Sequence, residues 1–341
     1  MLERLARCLL LGAAFLSGAA AAVAQTYKLV SDPWVAWAPA TVAQDKGLWR
    51  QSLIDVSVVT CADGDAVQTF VAGKADFAMM MAGTAIGLQA SGQADLIVLA
   101  EVDWSHGGDK ILVKKGSKLA DLKGKRVGIY EDSPAVMMFL AAKLKADGLS
   151  LADFKIVVVE DMDSLAQQFV AGRLACAISY EPFVAQATAN GACEVIATTA
   201  DFPGIMPECL VGHRRVVDKM PPEHLTALLT GWIDAVDWCQ QPKNQKEFAR
   251  ICIQKVFAQE KVTPEQITAM LGNVRIHGRD ELRVRNLEPN GIAAFLRDSA
   301  MFAGGGGGGK RLDVATMLDT RPLHRALSGR RQTKAAPAPA K

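Results

Sequence analysis

The stretch QTFVAGKADFAMM at 68–80 returns 99 residues later as QQFVAGRLACAIS at 167–179, with six of thirteen aligned positions identical. The match extends upstream in both copies. IDVSVV (54–59) pairs with FKIVVV (154–159), and TVAQDKGL (41–48) pairs with KLKADGL (143–149). The first two are short apolar runs of strand character. The second two are helical stretches stopped by Gly47 and Gly148, at the position after a helix where a left-handed backbone favours glycine. Earlier still, YKLV (27–30) matches KRVGI (125–129). Residues 27–84 and 125–184 therefore each read strand–helix–strand–helix–strand. Such units place successive strands side by side and parallel, giving an α/β protein of two lobes. Ligands of open α/β sheets sit beyond the carboxyl ends of the strands, so two facing lobes make a clamshell. One continuous doubly wound sheet is the alternative.

The 341 residues, half of them apolar, suffice for two compact lobes. Arg4 and Arg7, the apolar run Leu9–Ala22 and the small residues Ala22-Val23-Ala24 have the layout of a secretory signal peptide over 1–24. A membrane anchor needs about 20 apolar residues and a different flank. The mature chain is expected to start near Gln25 and to be exported, soluble and without a lipid anchor. Six cysteines remain after cleavage; an oxidising compartment permits disulfides among them, and their connectivity stays open. Cys176, inside an apolar run, reads as a small buried residue. No CxxC is present and the five histidines are scattered, so no metal site is indicated.

The expected organisation is signal peptide 1–24, first lobe 25–107, second lobe 108–200, a return segment 201–303, and a Gly-rich linker with basic tail over 304–341. The return segment reads as mostly helical, clearest at PPEHLTALLTGWIDAVDWCQ (221–240), and is expected to pack on the first lobe. Crossings between lobes fall near 104–110 and 198–207, and MLDTRPLHRAL (317–327) is a candidate docking helix. Residues 310–341 carry eight Lys/Arg against two Asp/Glu, whereas 25–309 carry 28 against 33. Neither balance indicates a nucleic-acid partner.

Seven stretches lie where the cleft is expected: 31–37, 60–66, 80–84, 101–109, 130–136, 159–164 and 179–183. They hold no Lys or Arg, twelve Asp/Glu, three of six tryptophans and two of three tyrosines. Carboxylates beside aromatic faces suit a cation or a planar, nitrogen-rich solute, through cation–π attraction and charge-assisted hydrogen bonds. The candidate ligand-binding residues from these loops are Asp32, Trp34, Trp37, Asp103, Trp104, Asp132, Ser133, Tyr180 and Glu181. Capping competes with binding for several acids, because Asp and Glu neutralise helix N-termini. Asp63, Asp65, Asp161 and Asp163 read as caps or solvated turns, and Ser133-Pro134 reads equally as an N-cap followed by Pro at the first helical position.

SDPWVAWAPATVAQDKGLW, FVAGKADFAMM, LADLKGKRVGIY and SYEPF resemble the solute-binding proteins of ABC importers for nitrate, sulfonates and taurine, a group with thiamine-pyrimidine-precursor and urea- or guanidine-related branches. The resemblance runs from about 27 to 200, and more weakly to 327. It implies a bilobal type II periplasmic binding protein, a periplasmic location, and a permease with a cytoplasmic ATPase as partner. It implies ligand contacts at Trp34, Trp37, Gly83, Thr84, Ser133 and Tyr180-Glu181-Pro182, the last where the family commonly has Trp-Asp-Pro. One departure matters. Sulfonate binders usually offer Gly-Ser amides where this chain has Glu131-Asp132-Ser133-Pro134; Pro134 removes a donor and two acids repel an oxyanion. DWSHGGD (103–109) looks closer to the amide- and urea-related branch.

The expected function is therefore capture of a small nitrogen-rich neutral or cationic solute by a monomer without cofactor, catalytic residues or enzymatic activity. A taurine-like sulfonate is the alternative ligand, and a periplasmic sensor subunit the alternative role. A pyrimidine-precursor synthase shares the family fold, but it carries a clustered-cysteine motif where this chain has only Cys61.

Overall fold

The computed structural model describes residues 25–52, 54–62, 65–131, 133–159, 161–304 and 312–329. The expected signal peptide, most of the glycine run, the last basic residues, and Asp63, Asp132 and Glu160 lie outside them. Eleven strands occur among the described residues: β1 Gln25–Ser31, β2 Ile54–Thr60, β3 Phe77–Met81, β4 Leu96–Ser105, β5 Lys110–Lys114, β6 Arg126–Ile129, β7 Lys155–Val158, β8 Cys176–Ser179, β9 Cys193–Thr198, β10 Pro207–His213 and β11 Val274–Ile276. They form two separate sheets, a six-stranded one in the order β11-β4-β10-β3-β1-β2 and a five-stranded one in the order β7-β6-β8-β5-β9. The chain is bilobal, and the single-sheet alternative does not hold.

The repeated units form the parallel part of each sheet. β1 pairs parallel with β2 and β3, and β6 pairs parallel with β7 and β8. The crossover helices fall at Ala38–Asp45 and Asp65–Val71 in one lobe and at Pro134–Ala146 and Met162–Val170 in the other. Gly73 and Gly172 end the second helix of each unit with φ of +69° and +75°, a backbone that a side chain would strain. This positive φ explains why the repeated words carry glycine at the same place.

The sheets are mixed rather than wholly parallel. β10 runs antiparallel between β3 and β4, and β5 runs antiparallel between β8 and β9. The chain leaves the large sheet after β4 and enters the small one at β5, then returns from β9 to β10. The return segment is thus not all helix. PECLVGH, buried at every position, is a strand in the middle of the larger sheet, and β11 extends its edge.

Beyond β10 the helix Pro222–Cys239 buries Leu225, Leu228, Leu229, Trp232, Ile233 and Val236, an i, i+3, i+4 stripe. It packs on the first lobe. The Trp49 indole donates to the Leu228 carbonyl at 2.9 Å. A Cβ on Gly231 would stand 2.2 Å from Trp49 Cδ1, so only glycine allows that approach. The helix Arg321–Ser328 docks on the same lobe with Pro322, Leu323, Ala326 and Leu327 buried. The Asp319 N–H ties it to the Val98 carbonyl at 3.0 Å. The six cysteines are free thiols, and Cys176 is fully buried. No described helix is long and apolar enough to cross a membrane.

Candidate functional site

A cavity of about 570 Å³ lies between the two sheets and takes its walls from both. From the larger sheet come Asp32, Pro33, Trp34 and Trp37 after β1, Asp65, Val67 and Gln68 after β2, Met79–Met81 of β3, and Glu208 of β10. From the smaller sheet come Asp109 before β5, Tyr130 and Glu131 after β6, Asp161 and Met162 after β7, and Tyr180 after β8. Six of these residues are acidic and none is Lys or Arg. The volume fits a small solute rather than a polymer.

Three of the carboxylates are tied to the backbone or to the opposite lobe. Asp32 accepts from the Ala66 N–H at 3.0 Å, and Asp161 caps its helix by accepting from the Ser164 N–H at 2.7 Å. Glu131 accepts the Thr84 hydroxyl at 2.5 Å, a hydrogen bond from one lobe to the other. Asp109 accepts the Tyr130 hydroxyl at 2.6 Å. Burial raises the Asp109 carboxyl pKa, and burial together with that neighbouring acid drives the Tyr130 phenol far above its ordinary value.

The aromatic residues also span the cleft. Tyr180 meets Tyr130 edge to face at 5.2 Å and Trp34 at 6.4 Å between ring centroids. The indole N–H groups of Trp34 and Trp37 are buried, and that of Trp34 faces the Asp103 and Glu208 carboxylates.

Behind the first-lobe wall, Asp103 and Glu208 face each other in the β4–β10 register. Burial pushes the Asp103 carboxyl up to about 6, against the opposing pull of Glu208, His277 and Trp34. Burial first, then the Asp103 charge, raises the Glu208 carboxyl well above the usual carboxylate range. Deeper still, Glu101 is held by Arg285 through two bonds of 2.8 and 3.1 Å and by His277 Nε2 at 2.9 Å. Arg285 lies over the Trp104 ring at 4.9 Å.

The cleft brings together Asp32, Trp34, Trp37 and Tyr180 of the residues expected from sequence. The others sit elsewhere. Trp104 belongs to the Glu101–Arg285–His277 network, and Asp103 lies behind Glu208 rather than on the wall. Ser133 is a buried N-cap accepting from the Val136 N–H at 3.5 Å. Glu181 pairs with Lys110 at 3.0 Å and accepts from the Ala185 N–H at 3.1 Å, so both its oxygens are engaged away from the cavity. Gly83 is where the lobes touch: a Cβ there would stand 2.3 Å from the Ala135 nitrogen. Thr84 bonds Glu131 across the same contact. Asp132 is outside the described residues.

Sequence reasoning misses Glu208, because the return segment reads as mostly helical and β10 is not recognised in it. One acid inside the short apolar run PECLVGH was the available signal. Met80, Met81 and Met162 lie in stretches expected at the cleft without being singled out as candidates, and Met79 lies just outside them; methionine in apolar runs reads as core.

The NMT1-like family matches residues 24–253. A Brucella abortus (strain 2308) protein, named provisionally as a binding protein, is 28% identical over 185 residues, 53% of this chain and 56% of its own length. The chain thus spans about half the length of the curated relatives it matches. Among solved structures, the periplasmic nitrate-binding protein NrtA of Synechocystis PCC 6803 superposes with a TM-score of 0.68 at 18% identity, covering 89% of this chain and 88% of that one. The periplasmic aliphatic sulphonate binding protein SsuA of Escherichia coli gives 0.67 at 17% identity, covering 86% and 97%. A Candida albicans protein described as having the generic periplasmic binding protein fold gives 0.65 at 14% identity, covering 86% and 96%. These likenesses establish the periplasmic-binding-protein fold that the repeat and the resemblance implied. With a match that runs from before β1 to beyond the helix Pro222–Cys239, the chain belongs to the NMT1-like family.

Proposed function

We propose that this protein is the exported substrate-binding subunit of an ABC-type importer. It captures a small polar, nitrogen-rich neutral or cationic solute between its lobes and delivers it to a membrane permease driven by a cytoplasmic ATPase. It acts as a periplasmic monomer after removal of the 1–24 signal, and it needs no chemistry of its own. The observation that carries the ligand class is the two-lobed cavity lined by six acids and four Trp or Tyr rings without a Lys or Arg. An aromatic face attracts a cation by about 0.5–2 kcal/mol, more as water leaves. Carboxylates accept charge-assisted hydrogen bonds from N–H groups, whereas a sulfonate would find carboxylates on both lobes and no Lys or Arg. The lobe-two helix start offers an anion little, since Ser133 caps it and Pro134 has no N–H. The bonds Thr84–Glu131 and the ring contact Trp34–Tyr180 bridge the lobes, as a hinge-closing binding protein requires.

A thermal-shift panel on the mature chain tests this reading. Ureas, guanidines, amines and aminopyrimidines are set against taurine, alkanesulfonates and nitrate. A specific ligand at 100-fold over its dissociation constant adds about 2.7 kcal/mol of stability. Stabilisation confined to the nitrogen-rich set supports the reading, and stabilisation by a sulfonate alone contradicts it.

A further inference from the structure

Glu208 and Asp103 form a pair that the rest of the cleft does not explain. Glu208 lines the cavity at only 5% exposure, and Asp103 behind it is wholly buried. Glu208 Oε2 and both Asp103 carboxylate oxygens find no donor within hydrogen-bond distance among the described residues; they face each other and, farther off, the Trp34 indole N–H. Two ionised carboxylates this close and this dry repel each other strongly, so such pairs hold one proton between them. The surroundings supply little of the missing charge: His277 pulls on Asp103, and Glu101 opposes it. Arg285 is spent on Glu101, which His277 also bonds. From β5 and β6 the pair is faced by Asp109 and by the Tyr130 hydroxyl that Asp109 binds. β3 and β11 place Met81 beside Glu208 and Ile276 beside Asp103. The Trp34 indole N–H favours the ionised form of both acids but carries no net charge.

We propose, resting on the cation-binding reading above, that Asp103 and Glu208 share one proton in the free protein and that a bound cation displaces it, pairing directly with Glu208. Glu208 is the specificity-determining contact, and Asp103 is a positioning residue whose charge holds the shared proton on Glu208. The charge balance closes. The free pair carries one proton and one negative charge; on binding, the proton passes to a solvent base and the doubly negative pair takes up one positive ligand. The cavity keeps the same net charge in both states. A neutral solute of similar shape gains nothing from the exchange, so the pair selects cations that bring N–H donors.

The test uses infrared spectroscopy and calorimetry on the intact protein with methylguanidinium and agmatine as probes. A protonated-carboxyl carbonyl band is expected in the free wild type near neutral pH, and it is lost from Glu208→Gln. Addition of a probe that raises the melting temperature is expected to bleach that band. Calorimetry in two buffers of different ionisation enthalpy should then show release of about one proton, with affinity rising about tenfold per pH unit; Asp103→Asn, which removes the neighbouring charge, should release less. No band in the free wild type overturns the inference and leaves the proposed function standing. A band that survives binding of a stabilising probe does the same. If neither cation nor any other nitrogen-rich solute stabilises the protein, the ligand class and the proton exchange fall together.

Discussion

Asp103 and Glu208 stand opposite each other across the antiparallel pairing of β4 with β10, both in the protein interior and neither on a salt bridge among the described residues. Nearby Glu101, two residues earlier on β4, has Arg285 and His277. One strand thus carries a neutralised acid and an unneutralised one, and the unneutralised one backs the cleft.

This predicts how stability depends on pH. Asp103 holds its proton up to about 6 in the folded state, above its ordinary 3.8. Between those values the folded chain binds more protons than the unfolded one, so stability is full at the low end and falls as pH rises through about 6. The loss is on the order of 2–3 kcal/mol. Acids with lowered pKa, such as Asp45 and Glu247, act below this window. Melting temperature of the free protein should decline from about pH 4 to about pH 6, and Asp103→Asn should flatten that decline. A melting temperature that rises over the same range contradicts the burial argument.

Gly83→Ala acts on closure without touching the cavity. The new methyl group would collide with the Ala135 backbone, 2.3 Å away on the other lobe. Opening the lobes relieves the clash, so the cost of about 1–3 kcal/mol falls on the closed form. Ligand affinity should drop about tenfold or more, while the melting temperature of the free protein changes little. Small-angle scattering with saturating ligand should show a more open molecule than wild type; an identical closed profile would contradict this role.

The C-terminal segment separates into a part that matters and a part that does not. Leu323 and Leu327 are buried in the first-lobe core, and each buried leucine contributes about 1.5–3 kcal/mol. Truncation at Gly304 should therefore lower stability by several kcal/mol. Truncation after Gly329 should leave melting temperature and affinity unchanged. Equal stability of the two truncated chains in urea would show that the docked helix contributes nothing.

The parallel half of each sheet was legible in the sequence because the repeat is local: each unit holds its own strands, helices and terminating glycine within sixty residues. The antiparallel half was not. β10 is seven residues long, followed at once by helix, and nothing within it announces that it inserts between β3 and β4. That insertion creates the Asp103–Glu208 pair, so the pair cannot be read from either segment alone. Trp34, Trp37 and Tyr180 were legible because they follow strand ends. Glu181, next to Tyr180, follows the same strand end, yet Lys110 on the neighbouring β5 turns it away. Gly83 was identified as a family ligand contact; its place against Ala135 depends on how two helix starts meet across the lobes.

The measurement that bears most directly on the account is calorimetric titration of the best nitrogen-rich stabiliser into wild type, Trp34→Ala and Glu181→Gln. Trp34 lines the cavity and touches Tyr180 across it, whereas Glu181 is bound to Lys110 outside it. One site per chain is predicted, weakened at least tenfold, about 1.4 kcal/mol, by Trp34→Ala and little changed by Glu181→Gln. Wild-type affinity in Trp34→Ala, with the fold intact, would contradict the claim that this cleft is where the solute binds.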